Sequence, residues 1–153
     1  MHVLEHKIPP PIVGGTIGAA MWATARIAPA LQIEDNLRFA IAGAFALLGL
    51  IVTTLGVIAF RQAKTTINPV NLEAASSLVT DGVYQHTRNP MYVGLTIALV
   101  GWAVYLAVPW VLLGPIAFVL FATRFQIIPE ERVMSSKFGR EYVEYQEKVR
   151  RWI

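Results

Sequence analysis

Long uncharged apolar runs alternate with short charged segments along this chain. Ile8 to Ala25 carries no charge and is rich in glycine and alanine, and Phe39 to Phe60 is equally free of charge. A helix needs about 20 mostly apolar residues to cross a bilayer core of ~30 Å, so each run predicts one span, over about 8–26 and 39–60. A third uncharged stretch, Asn89 to Thr123, would measure roughly 50 Å as one helix and must fold back. Proline cannot continue the helical hydrogen-bond ladder, which makes Val108-Pro109 the natural hinge. The expected hairpin joins Met91–Ala107 to Trp110–Ile128. A break at Gly114-Pro115 would leave a stub too short to cross, so a proline kink is expected there instead.

After Pro129 the pattern changes. Val133, Phe138, Tyr142, Tyr145, Val149 and Trp152 recur every three or four residues among charged neighbours. That spacing predicts a basic amphipathic helix lying on the membrane surface. The fold expected is all-α: a polytopic membrane helical bundle of about four transmembrane helices with a C-terminal amphipathic interfacial helix. It forms one domain over 1–153, with a loop at 61–90 and a tail at 129–153.

Charge orients this bundle. Of thirteen lysines and arginines, eleven fall on the side of the termini and the long loop; only Arg26 and Arg38 fall on the other. The positive-inside rule therefore places the N-terminus, the 61–90 loop and the C-terminal tail in the cytoplasm. The short chain and minimal loops suggest a prokaryotic plasma membrane. The N-terminus does not read as a signal peptide, since Lys7 is followed by Pro9-Pro10-Pro11 and no small-residue cleavage site. Hydrophobic residues make up 55% of the chain and charged residues 15%, where soluble domains carry about 25%. The net charge of +3 comes from residues flanking apolar runs, which suits anionic membrane lipids and not nucleic acid. The absence of cysteine excludes disulfides and thiolate chemistry, and His2, His6 and His86 have no metal-ligand spacing, so no metal is expected.

Two clusters carry candidate chemistry. One runs from Leu78 through Arg88-Asn89-Pro90-Met91-Tyr92 to Gly94; the other is Glu130-Glu131 after the fourth span. Each has an ordinary reading, as interfacial anchors and a proline-led helix start, or as acids complementing a helix dipole. Together they mean more. Paired carboxylates at a membrane boundary are costly unless solvated or matched, and a sulfonium or ammonium group is one match. A hairpin at Pro109 would bring both clusters to one face.

Arg88-Asn89-Pro90-Met91-Tyr92-Val93-Gly94, a hydrophobic stretch from Leu95 to Pro129, and then Glu130-Glu131 resemble the signature of the isoprenylcysteine carboxyl methyltransferases. Those proteins belong to a wider group that includes phospholipid N-methyltransferases. Leu78-Val79-Thr80-Asp81-Gly82-Val83-Tyr84 and Phe138 to Tyr145 match as well, so the resemblance covers roughly residues 66–152. It implies S-adenosylmethionine as cofactor, in a pocket capped by the loop before the hairpin and by the tail. The cofactor-facing set is then Leu78, Val79, Tyr84, His86, Asn89, Pro90, Met91, Tyr92, Gly94 and Glu131, with Glu130 near both acceptor and cofactor. Many relatives have histidine where this chain has Asn89, and eukaryotic relatives carry a substrate-holding arginine where this chain has Gln126. The nearest arginine, Arg124, is rotated about 200° from Gln126 on a helix.

Arg88, Glu130 and Arg124 are the expected catalytic residues. A carboxylate acceptor needs no general base, only an arginine partner, Arg88 or Arg124, and removal from water. An amine acceptor must first lose a proton, to His86 or Glu130. The expected substrate is a lipophilic or lipidated molecule, a prenylcysteine-type carboxylate before a phospholipid amine. A nicotinamide-dependent reductase and a non-enzymatic membrane scaffold are the other readings.

Overall fold

The structure, a computed structural model, describes residues 8–63 and 77–153. Lys7, Lys64, His2, His6 and the middle of the 61–90 loop lie outside the described residues. Among the described residues there are helices and turns and no strand. The helices are α1 (Pro10–Ala25), α2 (Asp35–Gln62), α3 (Pro90–Leu106), α4 (Leu113–Ala122), α5 (Ile128–Phe138) and α6 (Arg140–Lys148). Two are long and apolar enough to cross a membrane: α2, and the 30-residue run Pro109–Phe138 that contains α4 and α5.

Helix α2 starts four residues before the apolar run it was expected to match, because polar residues extend it. The Glu34 carboxylate caps it, accepting from the Asn36 and Leu37 amides at 3.1 and 2.7 Å. Arg38 then pairs with Asp35 at 2.7 Å one turn on. The hairpin forms where the sequence placed it. α3 ends at Ala107, whose φ of 53° turns the chain left-handed. Val108 is extended, and Pro109 opens a 3-10 turn, Pro109–Leu112, leading into α4. The amide of Leu31 donates to the Ala107 carbonyl at 2.7 Å, so the α1–α2 connection holds the hairpin's tip.

The irregularity of the fourth helix lies elsewhere than expected. Pro115 sits in the first turn of α4, where a missing amide costs nothing. The departure from α geometry is a π turn over Thr123–Ile127, directly ahead of Pro129. The proline ring would clash with the carbonyl four residues back, and an extra residue in the turn relieves that conflict.

Helix α3 is the centre of the bundle. One side packs on α2, the other on α1 and α4. The α2–α3 crossing is close because it is built on glycine. A Cβ at Gly94 would lie 2.6 Å from the Gly49 carbonyl and 2.9 Å from the Thr53 amide, and one at Gly101 would lie 2.8 Å from Phe45 Cβ. Small residues at membrane helix contacts allow this approach. The core joins Met21, Leu99, Val111, Phe118 and Ile127 around α3. Much apolar surface stays outside it: Leu47 is 59% exposed, Leu50 63% and Leu120 65%. Such continuous exposure would be a liability in water and suits lipid contact.

Aromatic rings mark the hairpin end. Trp102 stacks on Tyr105 at 5.1 Å, Tyr105 on Phe39 at 5.8 Å, and Arg38 lies 5.0 Å over the Phe39 ring. Arg26 lies 5.2 Å over Trp22. This is the composition of an interfacial belt. Arg61 and Arg88 belong to the opposite end, since α2 and α3 run antiparallel.

The tail differs from the single surface helix expected. It breaks at Gly139 (φ 53°) into α5 and α6. The apolar face of α6 is turned inward: Tyr142, Tyr145 and Val149 are buried against Leu78, Met134 and Phe138. Leu78 of the loop and Met134 and Phe138 of α5 cover the face that a membrane surface was expected to cover.

Candidate active site

The end of the bundle opposite the aromatic belt encloses a cavity of about 380 Å³. The loop before α3 supplies one wall. Gly82, at φ 62°, starts a short 3-10 turn that presents the buried ring of Tyr84, and Leu78 and Val79 precede it. Tyr84 meets Phe60 of α2 edge to face at 5.4 Å. The Tyr145 hydroxyl donates to the Tyr84 carbonyl at 2.7 Å and locks the loop to α6. Thr53 and Val57 of α2, Met91, Tyr92 and Leu95 of α3, and Pro9 to Pro11 form the floor and opposite wall. Ile127, Glu130, Glu131 and Met134 come from the π turn and α5.

Burial pushes the Tyr84 and Tyr145 phenols up, and Tyr142 is pushed up to about 12, by burial first and the Glu131 carboxylate second. All three are therefore protonated near neutral pH and act as hydrogen-bond donors or ring surfaces, not bases.

The two sequence clusters meet here. The Tyr92 hydroxyl donates to Glu130 Oε1 at 2.6 Å. Arg88 Nη2 lies 3.0 Å from Glu131 Oε1, with only 9% of the Arg88 side chain and 12% of the Glu131 side chain exposed. The other two Arg88 nitrogens, Nε and Nη1, are buried and have no hydrogen-bond partner among the described residues. A buried guanidinium with donors to spare is a costly arrangement unless an anion completes it.

Most of the expected site residues line this cavity: Leu78, Val79, Tyr84, Arg88, Asn89, Met91, Tyr92, Glu130 and Glu131. Four do not. His86 is exposed on the outer side of the loop. Pro90 packs on Gly56, where an added Cβ would come within 3.2 Å of its ring, and Gly94 is consumed by the helix crossing. Arg124 sits in the π turn with its guanidinium 5.6 Å over Phe125, away from the cavity. Asn89 is already engaged, its Nδ2 donating to the Arg151 carbonyl at 2.9 Å. Gln126, at the position where eukaryotic relatives have arginine, is buried and donates to the Ile8 carbonyl at 2.7 Å.

Sequence reasoning missed Arg151. Its Nε and Nη2 grip Glu131 Oε1 and Oε2 at 2.9 and 2.7 Å. It also missed the inward roles of Tyr142 and Tyr145. Their spacing was visible, but it marks an apolar face without saying what covers it.

The cavity therefore combines apolar walls, aromatic rings, a carboxylate held by a phenol, and an arginine with free donors. Ring faces and a carboxylate suit a cationic sulfonium, and the free arginine suits a carboxylate. The chain is 38% identical over 106 residues to protein-S-isoprenylcysteine O-methyltransferase B of Arabidopsis thaliana, covering 67% of this chain and 52% of that one. It is 36% identical over 106 residues to a probable protein-S-isoprenylcysteine O-methyltransferase of Oryza sativa subsp. indica, covering 67% and 54%. An uncharacterized protein of Haemophilus influenzae is 44% identical over 63 residues, its whole length and 41% of this chain. The chain thus spans about half the length of the plant enzymes it matches. No solved structure matches it. The family model described as phospholipid methyltransferase matches residues 37–141, more than half of the sequence. The chain belongs to the phospholipid methyltransferase family.

Proposed function

We propose that this is an integral membrane methyltransferase that uses S-adenosylmethionine to methylate a lipophilic acceptor, a prenylcysteine-type carboxylate. The observation that carries the reading is Arg88: nine-tenths buried, lining an apolar cavity, paired through one nitrogen with Glu131 and with its other two nitrogens unpartnered among the described residues. The bundle crosses the membrane four times, with α1 and α3 as the shorter crossings, and the cavity faces the cytoplasm with both termini.

When bound, S-adenosylmethionine supplies an electrophilic methyl group on a sulfonium centre. The chain's own residues do the rest. Arg88 orients a carboxylate through charge-assisted hydrogen bonds from its open donors. Leu95, Ile127, Met134 and Val57 form an apolar wall that excludes water from the carboxylate. Glu130, fixed by Tyr92, and the rings of Tyr84 and Phe60 would hold the positive centre. A carboxylate oxygen is already a nucleophile, so positioning and desolvation suffice, and orientation alone can contribute roughly 7–11 kcal/mol. An Arg88→Ala protein is expected to lose methyl transfer.

A second reading, phospholipid N-methylation, has Glu130 in its favour. A carboxylate beside the cavity can take the proton an ammonium must lose before it attacks. The test is purified protein with methyl-labelled S-adenosylmethionine, offered N-acetyl-S-farnesylcysteine or phosphatidylethanolamine. Base-labile label released as methanol supports the carboxylate acceptor. Base-stable label on the lipid amine replaces it with the second reading, and no labelled product from either acceptor removes both.

A further inference from the structure

Glu131 is the only carboxylate within reach of Arg88 among the ion pairs of the described residues, yet it touches Arg88 through one nitrogen. The reason is the C-terminus. Residues 150–152 cross the mouth of the loop as a strap. The Arg88 amide donates to the Arg150 carbonyl at 3.0 Å, Asn89 Nδ2 donates to the Arg151 carbonyl at 2.9 Å, and the Trp152 indole donates to Thr123 Oγ1 at 3.1 Å. Held this way, Arg151 lays a planar fork across both oxygens of Glu131. A fork on a carboxylate fixes its plane as well as its position. Glu131 is then committed sideways, and Arg88 Nε and Nη1 stay open. Glu130, the other acid at the cavity, is turned to the Tyr92 hydroxyl. Two guanidiniums share one carboxylate, so one positive charge remains uncompensated within the trio.

We infer that Arg151 is a positioning residue: by gripping both oxygens of Glu131 it keeps that carboxylate from closing on Arg88, and so turns Arg88 into a receptor for a ligand carboxylate. The identity of the ligand rests on the methyltransferase reading. Two sources share this chemistry, the amino-acid end of the methyl donor and the acid of the acceptor. Without Arg151, Glu131 would take the Arg88 fork for itself and the receptor would close.

The experiment measures equilibrium binding to the full chain in detergent, wild type against Arg151→Gln. The probes are S-adenosylhomocysteine and its carboxamide, and N-acetyl-S-farnesylcysteine and its carboxamide. The expected result is that Arg151→Gln weakens one of the two acids by roughly tenfold or more while its carboxamide binds as before. Which acid weakens identifies the source. The double variant Glu131→Gln/Arg151→Gln, having no competing carboxylate, is expected to recover acid binding. If Arg151→Gln does not yield folded protein, Arg151→Lys carries the same comparison with a smaller shift, since it keeps the charge but not the fork. Equal weakening of acid and amide, or no weakening of either acid, overturns the inference. A wild-type protein that binds none of the four probes overturns the methyltransferase reading instead.

Discussion

Replacing Gly94 by alanine tests whether the α2–α3 crossing sets the shape of the site. The new Cβ would lie 2.6 Å from the Gly49 carbonyl oxygen, 2.9 Å from the Thr53 amide and against Thr53 Oγ1. Two of these three neighbours are backbone, so no side-chain rotation relieves the contact. The helices must separate by several tenths of an ångström, and overpacking of this kind costs typically about 1–3 kcal/mol. That corresponds to roughly a 5- to 150-fold shift in the folding equilibrium. The same separation moves Thr53 and Val57 away from Met91 and Tyr92 across the cavity. The assay is thermal unfolding in detergent alongside S-adenosylhomocysteine binding. Gly43→Ala is the control, because nothing lies within 4 Å of a Cβ there. An exposed helical Gly→Ala change is expected to stabilise by up to about 1 kcal/mol. Gly94→Ala is expected to lower the midpoint and weaken binding while Gly43→Ala does neither. Equal midpoints for the two variants would refute the argument from close packing.

Three further perturbations have defined outcomes. Tyr92→Phe removes the 2.6 Å bond to Glu130 and is expected to lower kcat/KM by roughly 10- to 150-fold, the equivalent of a bond to a charged group, with the unfolding midpoint little changed. Tyr145→Phe leaves the Tyr84 carbonyl without its partner and is expected to destabilise by about 1–3 kcal/mol, read as a lower unfolding midpoint and faster proteolysis in the 78–89 loop. Gly139→Ala has space for its methyl group but forces alanine to a φ of 53°, and is expected to destabilise by about 1 kcal/mol or more, with the loss appearing first in the docking of α6.

The parts of this fold legible in the sequence are those that lipid dictates. An uncharged run must be either one span or a folded pair, and Pro109 supplied the break. Helix ends were less legible, because Glu34 and Asp35 extend α2 past the apolar run with capping chemistry that hydropathy does not register. The π turn had one cue, Pro129, but a proline announces a disturbed helix without naming its form. Gly94 and Pro90 fell in the right motif for a different reason: both serve the helix crossing, which a linear pattern cannot separate from ligand contact. The apolar face of α6 was visible as a period, yet the period is identical whether a membrane or Leu78 covers it. Arg151 left no signal, since one arginine among several in a charged tail acquires its role only when the strap brings it to Glu131.

Titration of purified wild-type protein with S-adenosylhomocysteine, followed by calorimetry, tests the central claim most directly, with NADPH as the comparison ligand. Saturable one-site binding of the first, lost in Glu130→Ala, and no binding of the second is the predicted result. Folded protein that gives no heat with S-adenosylhomocysteine, or that binds NADPH in its place, would contradict it.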